Sequence, residues 1–285
     1  VNRHDAGAGS AGGAQAARPA PRRSAPVRPT VVGRAAFQAE LDRLRVREKA
    51  HTREGDAIAA ARRRLPVVEV DGTLLLEGPG GALTLLDAFD GREQLIAYYF
   101  MWHSGRSAAH QCEGCTFYTG QVRELSQLHS RDVTFAVFSQ APYEAGVRYR
   151  DFMGWDVPWF SALPSLDALL VGRQIGLMHL VCYLRDGDRV FETYWTTRRG
   201  VEAMDNTYGL LDLTVYGRRE AWEDSPAGWP QEWAVAGANP YRRDGRPIAQ
   251  WPRLAEGRSD DLGTGPGRLA HGGRHGSGQR EEGCC

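Results

Sequence analysis

Apolar residues in this chain gather into short runs, and the period of those runs changes along its length. Between positions 31 and 65, Phe37, Leu41 and Leu44 recur at i, i+4, i+7 among Glu40, Asp42, Arg43, Arg45, Arg47, Glu48 and Lys49. That spacing predicts a helix with a narrow apolar stripe. A second helical stretch, Ile58 to Leu65, stops at Pro66, which pushes the preceding residue out of helical geometry. Val67–Val70 and Leu74–Leu76 flank Asp71-Gly72 and predict a β-hairpin. Gly78-Pro-Gly-Gly81 breaks the chain, and Leu83 to Phe89, with Thr84 as candidate N-cap, predicts one or two turns of helix.

The pattern then becomes that of buried strands alternating with helices. Leu95-Ile-Ala-Tyr-Tyr-Phe100 and Val133-Thr-Phe-Ala-Val-Phe138 are continuous apolar runs rich in β-branched and aromatic residues, expected of strands buried on both faces. Between them, Cys112-Glu-Gly-Cys115 opens a helical run from Thr116 to Leu128, with Tyr118, Val122, Leu125 and Leu128 on one face. Ser139 to Met153 is a further helix with Pro142 near its first turn. Val181–Leu184, Asp186-Gly187 and Val190–Tyr194 predict a hairpin, and Val201 to Leu211 a closing helix. These elements describe an α/β fold in three layers, a central mixed sheet with helices on both faces. Five divisions follow: a disordered tail over 1–29, an N-terminal helical extension over 30–65, and the sheet-containing domain over 66–220. An irregular Trp-rich segment (Trp222, Trp229, Trp233, Trp251) follows over 221–262, pinned by its rings, and a disordered tail over 263–285.

Composition narrows the function classes. Lys plus Arg and Asp plus Glu number 35 each, so no global charge points to nucleic acid or an anionic membrane. No run of about 18 apolar residues could span a bilayer, and no apolar secretory core opens the chain; a cytoplasmic location is the expectation. Five cysteines, at 112, 115, 182, 284 and 285, are too few and too unevenly spaced for a disulfide framework. In a reducing compartment the close pair is expected to be catalytic, redox-sensing or metal-binding. A Cys-x-x-Cys at a helix start can hold a thiolate, because free N–H groups and the helix dipole favour negative charge there. Cys112 is the candidate attacking thiolate and Cys115 the resolving thiol. Glu113, a like charge beside Cys112, is expected to make that thiol less acidic. Trp102 is placed at the site wall, His103 and His110 on the preceding loop, and Cys182 in a strand core. Cys284-Cys285 belong to a tail. No P-loop, Ser-His-Asp order, catalytic carboxylate pair or dinucleotide fingerprint is present, and Asp186 and Asp188 alone fall short of a calcium cage.

The wording of several segments is more specific. Asp90-Gly-Arg-Glu-Gln-Leu-Ile-Ala-Tyr-Tyr-Phe-Met-Trp102, Cys112-Glu-Gly-Cys-Thr-Phe117, His129-Ser-Arg-Asp-Val-Thr-Phe135, Met153-Gly-Trp-Asp-Val-Pro-Trp159 and Arg185-Asp-Gly-Asp-Arg-Val-Phe191 resemble the thioredoxin-like bacterial family designated domain of unknown function 899 (DUF899). The resemblance runs from about Ala36 to Gly263. It implies a thioredoxin- or peroxiredoxin-like core and leaves the substrate, a thiol or disulfide partner, unnamed. Two departures stand out. The proline that precedes the strand facing the cysteines in thioredoxins is replaced by Gly176-Leu-Met-His179. The peroxiredoxin motif, aligned on Cys115, has Ala108 and Cys112 in place of its Pro and Thr, so peroxide reduction stays open without those supports. In such a fold His179 would approach Cys112 and Cys115, and the alternative to redox chemistry without a cofactor is a soft-metal site for copper or zinc on these three residues. A non-enzymatic docking protein is the other alternative, and the Phe37/Leu41/Leu44 stripe raises a homodimer as an expectation.

Overall fold

The computed structural model describes residues 27–231 and 239–263. Most of both expected tails, Trp233, and Cys284-Cys285 lie outside the described residues. The chain opens with one helix, α1 (Arg34–Arg62), of 29 residues and no buried side chain. The expected two helices are thus continuous: the residues between them are mostly good helix formers, and Gly55 costs only about 1 kcal/mol against alanine. The Gln38 amide donates to Asp42 and Arg45 pairs with Asp42 along its surface. Phe37 and Leu44 remain exposed. The helix meets the sheet at its end, where the Arg62 guanidinium stands 5.0 Å over the Tyr194 ring.

The strands are β1 (Val68–Val70), β2 (Leu75–Gly78), β3 (Gly81–Thr84), β4 (Gln94–Phe100), β5 (Val133–Ser139), β6 (Trp159–Ser161), β7 (His179–Asp186) and β8 (Arg189–Thr197). They form one curled mixed sheet in the order β1-β8-β7-β4-β5-β6-β2-β3. β4 runs parallel to β5, β5 parallel to β6, and β7 antiparallel to both β4 and β8. Between β4 and β5 lie α2 (Glu113–Gln121) and the short α3 (Ser126–His129); α4 (Tyr143–Met153) follows β5. The central order β5-β4-β7-β8, a parallel β-α-β unit beside an antiparallel hairpin, is a thioredoxin-like fold.

Alternation along β4 and β5 sorts the core into two faces. Tyr98 and Phe100 join Phe135 and Val137 under α2 and α4, with Cys112, Cys115, Tyr118, Tyr149 and Trp159. Leu95, Ala97 and Tyr99 join Ala136 and Phe138 on the other face, beneath Phe89 and the short α5 (Leu166–Leu169). Space on the first face is tight, since a Cβ on Gly146 of α4 would lie 2.5 Å from Trp159 Nε1.

Several local expectations change. Asp71 does make a turn, its carboxylate accepting from the Thr73 N–H at 2.8 Å, but the flanking strands do not pair. β1 goes to β8, where Glu69 and Arg189 form two contacts of 2.8 Å, and β2 goes to β3 and β6. The hairpin lies at Gly78-Pro-Gly-Gly81 instead, with Gly81 at φ +98°, a left-handed value that glycine adopts without strain. Leu83 and Thr84 are strand; only Asp87–Phe89 forms a 3-10 turn, with Leu86 rather than Thr84 at its N-cap, while the Thr84 hydroxyl accepts from the Asp87 N–H. The run Thr116–Leu128 breaks at Val122, and the Glu124 carboxylate starts α3 by accepting from the Ser126 N–H at 2.8 Å. The expected closing helix divides at Asp205, giving a 3-10 stretch Arg198–Met204 and then α6 (Thr207–Asp212), started by a hydrogen bond from the Thr207 N–H to the Asp205 carboxylate.

In the C-terminal segment the contacts to the sheet-containing domain run through Tyr241, Arg242 and Gln250. Trp222 and Trp251 are exposed, while Tyr241 and Gln250 are buried. It carries the small hairpin β9 (Arg242–Arg243) and β10 (Arg246–Pro247) and the short α7 (Trp251–Ala255). No helix among the described residues is long and apolar enough to cross a membrane.

Candidate active site

The loop from β4 to α2 is folded by one side chain. Gln111, fully buried, accepts from the His103 N–H at 2.9 Å and donates to the carbonyls of His103 and Arg106. Satisfying three backbone groups with one amide lets an irregular loop sit under the domain surface. It delivers Cys112 to the N-cap of α2, where its Sγ accepts the Cys115 N–H at 3.3 Å. Cysteine takes the place usually held by serine or aspartate, so negative charge on that sulfur is favoured by the N–H and by the helix dipole.

Both cysteines are thiols and both are buried, at 1% and 0% exposure. The Cys115 sulfur accepts the Met101 N–H at 3.4 Å, and the Cys112 thiol faces Met101 Sδ at 3.7 Å. Tyr98 projects from β4 onto the same face. Its hydroxyl is buried without a hydrogen bond of normal geometry. Burial first, and then Cys115 and Cys112 beside it, push that hydroxyl well above the usual tyrosine range, so it stays an O–H donor.

A hydrogen-bonded chain ties Cys112 to the C-terminal segment. Gln250 Nε2 donates to the Tyr149 hydroxyl (2.7 Å), which lies 2.6 Å from the Thr116 hydroxyl, and Thr116 donates to the Cys112 carbonyl (2.7 Å). Because the Thr116 proton is committed to that carbonyl, Tyr149 donates to Thr116. Gln250 also donates to the Ala108 carbonyl at 2.7 Å. Arg242 reaches the same loop, donating to the carbonyls of Ala109 and Gln111 at 2.9 Å each and pairing with Glu113 at 2.9 Å. Asn239 donates to the other Glu113 oxygen, and the Tyr241 and Tyr118 hydroxyls meet at 3.1 Å. Residues 239–250 are therefore a strap over the cysteine-bearing loop and helix start.

Two of the expected site residues behave differently from their sequence reading. Glu113 is next to Cys112 but salt-bridged to Arg242, which offsets the like-charge repulsion expected on the thiolate. His179 is not brought to the cysteines. It pairs across the sheet with Tyr99, and Tyr99 belongs to the opposite face from Cys112 and Cys115. Its Nε2 bonds the Gln174 carbonyl at 2.9 Å and its ring meets Trp195 edge-on. Adjacent strand residues face opposite sides of a sheet, and it is the neighbouring Met178 that enters the cysteine face. A Cys112/Cys115/His179 metal site does not fit this arrangement; no group of three or more His, Cys, Asp or Glu among the described residues is placed to hold a metal.

Trp102 packs edge-on against Tyr149 at 5.9 Å, at the margin of the site. Burial pushes the His103 imidazole down, and His110 bonds Ser107 on the loop surface. Cys182 lies in β7 opposite Tyr194, where burial raises its thiol to about 11. A cavity of about 100 Å³ borders the site, sharing Tyr118 and Met178 with the cysteine cluster and Tyr241 with the strap. Sequence reading missed Tyr98, Met101, Tyr149, Gln111, Arg242 and Gln250. Strand alternation could have paired Tyr98 with the cysteine face; nothing local to Arg242 or Gln250 announces a contact more than 100 residues away.

A family model described as a bacterial protein of unknown function, DUF899, matches residues 26–236. The chain belongs to this family. In this DUF899 protein the matched span contains the whole sheet and the cysteine pair and ends before the strap residues Arg242 and Gln250. The chain has no match among curated proteins. Among solved structures it is similar to a cysteine-to-serine mutant of Xanthomonas campestris peroxiredoxin Q, at 16% identity over 52% of this chain and 96% of that one, TM-score 0.36. Wuchereria bancrofti thioredoxin is similar at 15% identity over 48% and 90%, TM-score 0.32. Peroxidoxin BcpB from Mycobacterium tuberculosis is similar at 12% identity over 50% and 89%, TM-score 0.33.

Proposed function

We propose that this DUF899 protein is a thiol-disulfide oxidoreductase acting through Cys112 and Cys115 on a disulfide partner in a reducing compartment. One observation carries the reading: Cys112 caps α2 with its sulfur accepting the Cys115 N–H, a geometry that stabilises a nucleophilic thiolate next to a second thiol. The Cys112 thiolate attacks one sulfur of a substrate disulfide, forming a mixed disulfide and expelling one substrate thiolate, which takes a proton. The Cys115 thiolate then attacks Cys112 Sγ, closing the protein disulfide and releasing the second substrate thiol. The substrate gains two electrons and the protein loses two; an external dithiol returns them.

The Tyr98 hydroxyl fits the second step, because a buried Cys115 thiolate needs a donor and Tyr98 is a neutral O–H beside it. A hydrogen bond to a charged group contributes about 1.5–3 kcal/mol. Tyr98→Phe is therefore expected to slow protein-disulfide closure from the mixed disulfide by about tenfold or more, with formation of the mixed disulfide little changed. Stopped-flow release of the second substrate thiol measures it, and equal closure rates would remove Tyr98 from the mechanism. The function itself is tested by reduction of a chromogenic aromatic disulfide, with dithiothreitol as recycling donor and its background subtracted. Wild type turns over and Cys112→Ser does not; equal rates for the two would sink the reading.

A further inference from the structure

The cysteine pocket is a sulfur pocket. Met101 follows β4 directly and turns its thioether onto Cys112, Sδ to Sγ 3.7 Å, while its own N–H holds the Cys115 sulfur. Met101 is 4% exposed. Among the described residues, neither the imidazole of His179 nor a carboxylate turns toward the pair, Glu113 being engaged by Arg242 and Asn239. Two sulfurs bound to one ion at about 2.3 Å stand about 3.8–4.0 Å apart, so the Cys112 and Met101 sulfurs already have nearly the separation of two ligands on one metal.

We propose that Cys112, Cys115 and Met101 form a three-coordinate, all-sulfur site for copper(I). Thiolate and thioether donors select copper(I), whereas zinc calls for four ligands with N, O or water completing the set, and this buried pocket presents three sulfurs. Binding exchanges two thiol protons for one monovalent cation, leaving a net negative charge on the cluster. The N–H groups of Cys115 and Met101 and the positive end of α2 face that charge, and the buried Tyr98 hydroxyl, a donor without an acceptor of normal geometry, is available to a bound sulfur. Both cysteines are buried and the strap is bonded to the loop that carries Cys112, so entry of the ion, like that of a disulfide, is expected to follow strap opening. This inference stands apart from the redox reading, since it needs the reduced pair and no electron transfer.

The test is an anaerobic titration of reduced full-length protein with copper(I), using bathocuproine disulfonate as competing chelator, followed by X-ray absorption on the loaded protein. The expected result is one copper(I) with three sulfur neighbours. Met101→Leu, a swap close in volume, is expected to lower the affinity by at least tenfold and reduce the shell to two sulfurs, while His179→Ala changes neither. A two-sulfur shell in the wild type, or an unchanged affinity in Met101→Leu, overturns the proposal, as does loss of binding in His179→Ala. Thiol trapping on the metal-free wild type, which reads the Cys112–Cys115 disulfide without copper, keeps failure of the copper site distinct from failure of the redox pair.

Discussion

Replacing Arg242 with alanine is expected to make Cys112 react with a small disulfide reagent roughly 50-fold faster than in the wild type. The guanidinium holds the strap to the cysteine loop by two carbonyls and by Glu113. The side chains of the ion pair are 22% and 11% exposed. Removing one partner of a fully buried pair costs 3–5 kcal/mol, and partial exposure brings this case to about 2–3 kcal/mol. If that loss falls on strap closure rather than on global unfolding, each 1.4 kcal/mol raises the open population about tenfold. The rate of chromogenic disulfide consumption at low reagent excess reports that population, and the thermal midpoint separates it from global destabilisation. Arg242→Lys should lie between the two, because an ammonium keeps the charge but cannot span Glu113 and both carbonyls. An unchanged labelling rate in Arg242→Ala would mean the cysteines are reached by another route.

The second large effect concerns Cys115. Cys115→Ser leaves Cys112 at its N-cap with the backbone donor intact but removes the thiol that, among the described residues, is placed to resolve a mixed disulfide within the site. The variant should accumulate one equivalent of mixed disulfide with a small aromatic disulfide, and catalytic turnover should fall to the background rate. Intact-protein mass measures the adduct. Cys182 does not substitute, since its thiol, raised to about 11 by burial, stays protonated at neutral pH. Sustained turnover by Cys115→Ser would place the resolving thiol elsewhere.

Much of the fold was legible because its strongest signals are local. The all-apolar run of β4 and the Asp186-Gly187 turn between β7 and β8 depend on neighbouring residues, and both appear where the pattern put them. Asp71-Gly72 shows the limit of that logic. The turn is real, yet β1 and β2 find other partners at opposite ends of the sheet order, a choice made by long-range pairing. The candidate site divides in the same way. Cys112 and Cys115 could be found from spacing, whereas the face His179 takes depends on its pairing with Tyr99, and a single residue of register sends a strand side chain to the other face. Met101, one residue beyond the apolar run, takes the position beside the cysteines. The strap was out of reach of any local pattern: Gln250 lies 142 residues from the carbonyl it satisfies at Ala108.

The central claim is that Cys112 and Cys115 form a reversible disulfide. It is tested most directly by equilibrating the full-length protein across dithiothreitol redox buffers, trapping thiols with an alkylating reagent and assigning them by peptide mass. The expected result is a single two-electron transition in which Cys112 and Cys115 disappear together from the thiol pool while Cys182 remains in it. Retention of both thiols at every accessible potential, or a disulfide joining either of them to another cysteine instead, would contradict the account.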